Sequence, residues 1–209
     1  MEFRLAKKEE LKECIRVCSE AFMPYEFSNI YRPKCEKRYR RFTWAIHRTA
    51  VNIYFKRKML FVGVEGDRIV CCACMDAPWH KTMTLGEYLK NGALRAAFSG
   101  GMLNLLGYAS MMDRLERHCK SIKEPHWHLS NFAVAPECQR MGYGSRMLQE
   151  GIFSYIAKNG GGDLYLVTNS QNNAKFYSRN RFREIVYEDL LLNKKHLGNW
   201  TFRAKILAV

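Results

Sequence analysis

The chain lacks any long apolar segment. Its 209 residues are 47% hydrophobic, which is enough for a sizeable core, but no run approaches the roughly 18–20 apolar residues that span a membrane. The amino terminus, residues 1–10, is charged and has no apolar core of the kind that a signal peptide carries. We therefore expect an unsecreted, cytoplasmic protein with no membrane partner.

The sequence also lacks a metal-binding pattern. It contains eight cysteines, but the paired C-x-x-C elements with histidines that mark zinc sites are absent. Cys71, Cys72 and Cys74 fall inside a strand-like run, where successive side chains point to opposite faces. Cysteines scattered in this way are typical of proteins in a reducing compartment, where they act as small, buried apolar side chains. We expect no metal site.

Acidic residues are scarce relative to basic ones. Lys and Arg number 34 against 20 Asp and Glu, so the net charge is +14. This charge suits a polyanion, whether a nucleic acid, a phosphate-rich cofactor or an acidic membrane surface. The basic residues are nevertheless spread along the chain, and the densest run, Lys34 to Arg41, is interpreted as a solvated helix face. A nucleic-acid partner is therefore not the favoured one.

Hydrophobic periodicity predicts a chain that mixes helices and strands. Helices are predicted at 8–22, 34–56, 141–158 and 174–179, and strands at 3–6, 59–64, 68–75, 126–135, 163–168, 182–187 and 200–206. Glu65-Gly66-Asp67 predicts a tight hairpin turn between the second and third strands. Lys194–Asn199 is predicted to join the last two.

The segment 76–124 does not fit this alternation. It is too long and too apolar for a simple loop. Leu85–Leu94 and Met111–Lys120 have helical character, and Gly100-Gly101 breaks the pattern between them. We predict a helical insertion within one domain that spans residues 1–209.

The stretch from His126 to Arg146 carries the strongest functional signal. A predicted strand ends at Pro136, which cannot donate to a ladder, and an amphipathic helix follows. Gly142 and Gly144 fall at the start of that helix, although glycine lowers helix stability. Because the first amides of a helix are unpaired and carry the positive end of its dipole, this start predicts a phosphate site. It is neither a dinucleotide fingerprint nor a P-loop, since the third glycine and the Gly-Lys-Ser/Thr sequence are missing.

The pattern Gln139-x-x-Gly142-x-Gly144 after such a strand resembles the acyl-CoA pyrophosphate loop of the GNAT superfamily of N-acetyltransferases. A second segment, 169–182, resembles the part of that family in which an Asn precedes a Phe-Tyr pair and a Gly-Phe follows. Arg181 stands here in place of that glycine, and arginine resists positive φ. The resemblance implies the GNAT fold, a layered α/β (α+β) architecture. Its mixed, mostly antiparallel central sheet is flanked by helices, with the helical insertion between the third and fourth strands.

The resemblance implies acetyl-CoA as the co-substrate. Loop amides would hold the pyrophosphate at the helix start, and the preceding strand would hydrogen-bond the pantetheine amides. The cofactor-binding residues implied in this way are Phe132, Ala133, Val134, Gln139, Arg140, Met141, Gly142, Tyr143, Gly144, Ser145, Asn173 and Phe176.

The resemblance also implies direct attack of a substrate amine on the thioester in a ternary complex. Tyr177 occupies the family's usual general-acid position, and a phenol can protonate a departing thiolate; a purely packing role is the alternative. His128 falls where some family members place a base, and an imidazole can accept the ammonium proton. A structural role for His128, or a base at His126, Glu188 or Asp189, remains open.

The predicted activity is transfer of an acetyl group from acetyl-CoA to a primary amine of a small-molecule or peptide acceptor. The acyltransferase would act as a monomer or homodimer. Two other functions remain open on the same fold: a basic nucleic-acid-binding module, and a protein that binds CoA without catalysis. The acceptor is expected to lie against residues 24–33 and the insertion. The net charge of +14 argues against a polycationic acceptor, because like charges repel.

Overall fold

The computed structural model describes residues 1–209, which form one seven-stranded sheet flanked by helices. The strands are β1 (Glu2–Leu5), β2 (Leu60–Glu65), β3 (Arg68–Asp76), β4 (Trp127–Val134), β5 (Gly162–Thr168), β6 (Arg183–Leu192) and β7 (Lys195–Ile206). Their order is β1-β2-β3-β4-β5-β7-β6. All neighbours are antiparallel except β4 and β5, which are parallel. The predicted fold class is thereby confirmed.

The helices lie between the strands in the predicted order. They are α1 (Leu11–Phe22), α2 (Glu36–Lys56), α3 (Leu85–Lys90), α4 (Ala93–Gly100), α5 (Met102–Leu115), α6 (Arg117–Ser121), α7 (Tyr143–Arg146), α8 (Ser154–Lys158) and α9 (Gln171–Arg179). A π-helical segment, Met147–Phe153, joins α7 to α8. Helices α3 to α6 form the predicted insertion between β3 and β4. None of the helices has both the length and the apolar character needed to cross a membrane.

The centre of the sheet is buried on both faces, and β3 shows this most clearly. Its residues from Ile69 to Met75 are all buried. Cys72 belongs to the same buried cluster as Cys14 and Cys18 of α1. On the opposite face of the sheet, Gly151 of the π-helical segment packs against Phe3 of β1. The cysteines of β3 are therefore core residues, as alternation along a strand predicts.

The last two strands are longer than predicted, and the prediction of a connection at Lys194–Asn199 is wrong. After a register shift between Glu184 and Val186, strands β6 and β7 pair up to Leu192 and Lys195, so only Asn193 and Lys194 form the turn. The extension is stabilised by a second apolar cluster, in which Leu190, Leu192 and Leu197 pack with residues of α5 and of the segment after α1. This tertiary packing has no local signal in the sequence.

Candidate active site

The loop before α7 presents a row of free backbone amides. Gly142 has φ +82° and open space around its α-carbon, and Arg140 also has positive φ, at +64°. The amide of Arg146 donates to the Gly142 carbonyl at 3.1 Å, but no amide from Arg140 to Ser145 donates to a protein acceptor. Several unpaired donors at one helix start form an anion site. The residues present therefore fit the pyrophosphate of acetyl-CoA.

Gly144 has a different role from Gly142. A Cβ at Gly144 would lie 3.2 Å from the ring of Phe176 and 3.4 Å from a methyl group of Val134. The glycine lets α7 approach β4 and α9 closely, so that the loop is held at the end of the strand. Gln139 supports the same turn, because its side-chain amide donates to the Val134 carbonyl at 3.2 Å.

A basic groove adjoins the loop. It lies between Ser145 and α9 and is lined by Lys175, Phe176 and Arg179, together with polar side chains. The two cations have no carboxylate partner within 4.0 Å. Sequence reasoning missed Lys175 and Arg179, although both follow the Asn-rich turn at helical spacing. Their charges suit the phosphates of CoA.

A cleft opens where β4 and β5 separate. The two strands pair only through Trp127 with Leu164 and His128 with Tyr165. Beyond His128, the edge of β4 that faces β5 has no strand partner and can bond an extended ligand. The apolar lining of the cleft includes Phe22, Phe27, Tyr108, Met112, Leu115, Phe132 and Val167. The separation leaves the edge of β4 free for the hydrogen bonds to pantetheine amides that the family resemblance implies.

Tyr177 both packs in the core and lines this cleft. Its ring lies between the rings of Phe132, Phe176 and Phe182 at centroid distances of 6.5, 5.2 and 5.4 Å. Burial, and then the nearby Tyr25 phenol, raise the pKa of Tyr177 well above its usual range. The side chain is therefore protonated at neutral pH, as a proton donor must be.

His128 also lines the cleft and lies at one end of a hydrogen-bonded network. Its Nδ1 atom is 3.2 Å from Ser130 Oγ, which donates to Asp76 Oδ2 at 3.2 Å. The Tyr54 hydroxyl also donates to Asp76 Oδ2, at 2.6 Å, and Arg57 contacts Asp76 Oδ1 at 3.2 Å. The imidazole is thus tethered to a carboxylate through a serine, an arrangement that can orient a base.

The other candidate bases do not line the cleft. His126 bonds the Glu124 carbonyl at 2.8 Å, Glu188 pairs with Arg117, and Asp189 pairs with His196. Asn173 does line it, and its amide donates to the Tyr25 hydroxyl at 2.8 Å. The structure thus brings His128 and Tyr177 together and leaves the alternatives outside.

Two features of the cleft were not predicted. Glu116 at the end of α5 is the one carboxylate in its lining, and it contacts Lys120 at 3.4 Å. His47 of α2 lies against Phe22 with its ring stacked at 5.0 Å. Both residues reach the cleft from elements distant in sequence, so no local motif marked them.

Comparison with known proteins gives one family and many similar folds. The model of the acetyltransferase (GNAT) family matches residues 24–182, and no curated protein sequence matches the chain. Three solved structures illustrate the fold. The polyamine N-acetyltransferase of Drosophila melanogaster, which forms N-acetylagmatine, is 14% identical with a TM-score of 0.63, over 98% of this chain and 99% of that one.

The other two structures are also distant in sequence. A mosquito arylalkylamine N-acetyltransferase like 5b is 14% identical with a TM-score of 0.60, over 98% and 99% of the two chains. The C-terminal condensation domain of Ebony, solved with beta-alanyl-dopamine, is 11% identical with a TM-score of 0.71, over 98% of each. These likenesses show the fold, and the family model covers most of the sequence. The chain therefore belongs to the acetyltransferase (GNAT) family and is an acyltransferase.

Proposed function

We propose that the protein transfers the acetyl group of acetyl-CoA to the primary amine of a small, partly apolar acceptor by direct attack in a ternary complex. The observation that carries this proposal is the cleft at the β4–β5 separation, which holds His128 and Tyr177 together beside the loop of free amides. In this site the acetyl thioester supplies the electrophilic carbonyl.

The lining of the cleft supports a small acceptor. Aromatic and aliphatic side chains dominate it, and Glu116 is its single carboxylate. An ammonium group pairs with a carboxylate, whereas an apolar body is stabilised by the aromatic rings. The similar D. melanogaster protein is a polyamine N-acetyltransferase, and the similar mosquito protein is an arylalkylamine N-acetyltransferase like 5b. The apolar lining favours an arylalkylamine over a polyamine for this chain.

His128 serves as the general base in this proposal. In the assignment where Ser130 donates its one hydroxyl proton to Asp76, the His128 Nδ1–H donates to Ser130 Oγ. This tautomer leaves Nε2 unprotonated, so it can accept the proton of the ammonium group. Asp76, which pairs with Arg57, can only accept hydrogen bonds, so it fixes the direction in which the hydrogen bonds of the network run.

Tyr177 serves as the general acid. Its hydroxyl gives a proton to the sulfur as the carbon–sulfur bond breaks. The burial that raises the pKa of Tyr177 also raises the pKa of a thiol in the same cleft, because both groups are uncharged when protonated. The proton therefore passes from the Tyr177 phenol to the CoA sulfur, two groups whose pKa values burial shifts in the same direction.

Thiol release from acetyl-CoA tests this function. Purified protein is assayed with arylalkylamines, polyamines and a peptide amino terminus. We expect turnover to be fastest with an arylalkylamine. Tyr177→Phe is expected to lower kcat by about 10²-fold, the lower end of what general acid catalysis contributes, with little change in CoA affinity. Tyr155→Phe is the matched control, since Tyr155 is a partly buried tyrosine outside the cleft.

Wild-type turnover in the Tyr177→Phe variant would contradict the assignment of the acid. Tight binding of acetyl-CoA without thiol release from any amine would instead support a non-catalytic CoA-binding protein. Stabilisation by RNA but not by acetyl-CoA would support the nucleic-acid alternative.

A further inference from the structure

Helices α4 and α5 present large apolar side chains to solvent. Phe98 and Leu103 are 84% and 85% exposed, and Leu94, Met102 and Leu106 are at least half exposed. These five residues, here named the apolar face, lie on both sides of the bend at Gly101. Monomeric soluble proteins rarely expose contiguous apolar groups of this size without a function.

The packing of the two helices explains why these residues point outward. The inner surface of α4 is built from small residues. A Cβ at Gly100 would lie 2.2 Å from the Phe42 ring of α2, and Ala96 is buried in the same contact. On α5, Gly107 packs in the same way against Tyr31. α4 therefore docks on the protein through glycine and alanine, and the first half of α5 approaches it at Gly107, while Phe98 and Leu103 face away; Met111 and Leu115 at the far end of α5 are buried.

A stripe of positive charge lies directly beside the apolar face. Arg38 of α2 donates from Nε to the Ser99 carbonyl at the end of α4, at 3.1 Å. Lys37 and Arg41 lie at helical spacing around it on α2, Lys34 lies two residues before that helix begins, and all four are exposed. None of the four pairs with a carboxylate within 4.0 Å. These four residues are named the basic stripe.

The insertion adds to this charge. Between Glu87 and Asp113 it carries no acidic residue, but it does carry Lys90 and Arg95, both exposed. Glu36, the carboxylate within the run from Lys34 to Arg41, is paired with Arg32 and Arg40. A surface that combines protruding Phe and Leu side chains with an excess of Lys and Arg has the composition of a segment that lies in a lipid interface. The apolar side chains enter the acyl boundary while the cations contact anionic headgroups.

We propose that the apolar face and the basic stripe together dock the protein on the surface of an anionic phospholipid bilayer. A nucleic acid matches the charge but gives no partner for Phe98 and Leu103. A second copy of this chain matches the apolar face, but a two-fold contact there would bring two basic stripes together. The expectation of no membrane partner rested on the absence of a spanning run, and surface docking needs none.

Vesicle co-sedimentation of the full chain tests this proposal. The probe is a set of vesicles made from phosphatidylcholine with phosphatidylserine, compared with vesicles of phosphatidylcholine alone. We expect binding to the mixed vesicles only, weakened by added salt. Phe98→Ser/Leu103→Ser and Lys37→Gln/Arg41→Gln are each expected to lower the partition constant about tenfold or more, because each removes two contacts with the interface.

The matched control is Ile185→Ser/Leu191→Ser, which replaces two exposed apolar residues of β6 and should bind as the wild type does. Circular dichroism checks that every variant is folded. Equal binding of the wild type to both kinds of vesicle, or unchanged binding of the Phe98→Ser/Leu103→Ser variant, would overturn the proposal. It would also be overturned if vesicles did not bind and light scattering showed a dimer that this variant abolishes, since the occupant would then be a second copy.

Discussion

Ser130 is the residue through which Asp76 acts on His128. Its hydroxyl stands between the carboxylate and the imidazole, 3.2 Å from each. A histidine tautomer is set by the hydrogen bond that its other nitrogen makes. Ser130 is therefore a positioning residue in the proposed reaction, and its contribution can be separated from that of the base itself.

We expect Ser130→Ala to lower kcat about tenfold, a part of the about 10²–10⁴-fold that general base catalysis contributes. Ser130→Thr keeps the hydroxyl and suits a strand, so it should restore most of the turnover. The measurement is kcat and KM for the acceptor at saturating acetyl-CoA. Equal losses in the Ala and Thr variants would show that the hydroxyl does not orient the base.

His47 gives a prediction about stability. It is 5% exposed, its Nδ1 has no partner, and burial lowers its pKa to about 4. The folded state thus prefers the neutral ring, whereas the unfolded chain binds a proton near pH 6.5. His47 therefore does not reduce the free energy of unfolding above about pH 6.5, but it lowers that free energy as the pH falls towards about 4.

Urea unfolding at several pH values measures this loss. The wild type should lose about 2–3 kcal/mol of unfolding free energy through His47 between pH 7 and pH 4. His47→Gln cannot titrate, so its unfolding free energy should fall less over the same range. Parallel pH profiles for the two proteins would show that His47 is not the group responsible.

At the scale of elements, helix α4 of the insertion packs closely against α2 at Gly100. Gly100 lies so near the Phe42 ring that an added Cβ would be 2.2 Å away, whereas the nearest atom to a Cβ at Gly86 of α3 would be Thr84 Oγ1 at 3.8 Å. The two glycines both lie in insertion helices but differ in their surroundings. They therefore form a matched pair of substitution sites.

We expect Gly100→Ala to destabilise the protein by about 1–3 kcal/mol, because α4 must move away from α2. Gly86→Ala should be neutral or stabilise by up to about 1 kcal/mol, since alanine is the better helix former. Chemical denaturation gives both values, and amide exchange in residues 93–106 shows whether the loss is local. Similar effects at the two sites would mean that the α2–α4 contact does not limit stability.

The elements show where sequence reasoning succeeds and where it fails. The order and the type of the helices and strands could be predicted from hydrophobic periodicity, and the Glu65–Asp67 turn could be predicted from its glycine. The β6–β7 turn lacks that signal, because Asn193 and Lys194 both adopt positive φ without glycine. Arg181 likewise has φ +71° where the family has glycine, so the backbone geometry is retained against the preference of the side chain. Tertiary packing of the leucines in β6 and β7 decided the strand lengths.

At the scale of the whole molecule, the site divides into a local part and a long-range part. The loop of Gln139–Ser145 and the pair Phe176–Tyr177 could be predicted because each is a contiguous motif. Tyr54, Asp76 and Glu116 could not, because they come from α2, β3 and α5 and meet only in the folded chain. No periodic pattern in the sequence indicates that these three residues lie close together in the fold.

The net charge of +14 raises the question of whether CoA responds to the whole field or to the basic groove alone. Lys175 and Arg179 line the groove beside Ser145, whereas Lys194 and Lys195 lie at the β6–β7 turn. Replacing either pair by glutamine removes the same total charge. The two variants therefore separate a local effect from a global one.

We expect Lys175→Gln/Arg179→Gln to weaken CoA binding several-fold at low ionic strength, because contacts between phosphate and cations are local and screened beyond about 10 Å. Lys194→Gln/Lys195→Gln should bind CoA nearly as the wild type does. The difference between the two variants should shrink as salt is added, which titration calorimetry over a salt series can measure. If both variants weakened binding equally at low salt, the long-range field of the whole chain would dominate recognition of CoA, and the groove would be an ordinary part of a basic surface.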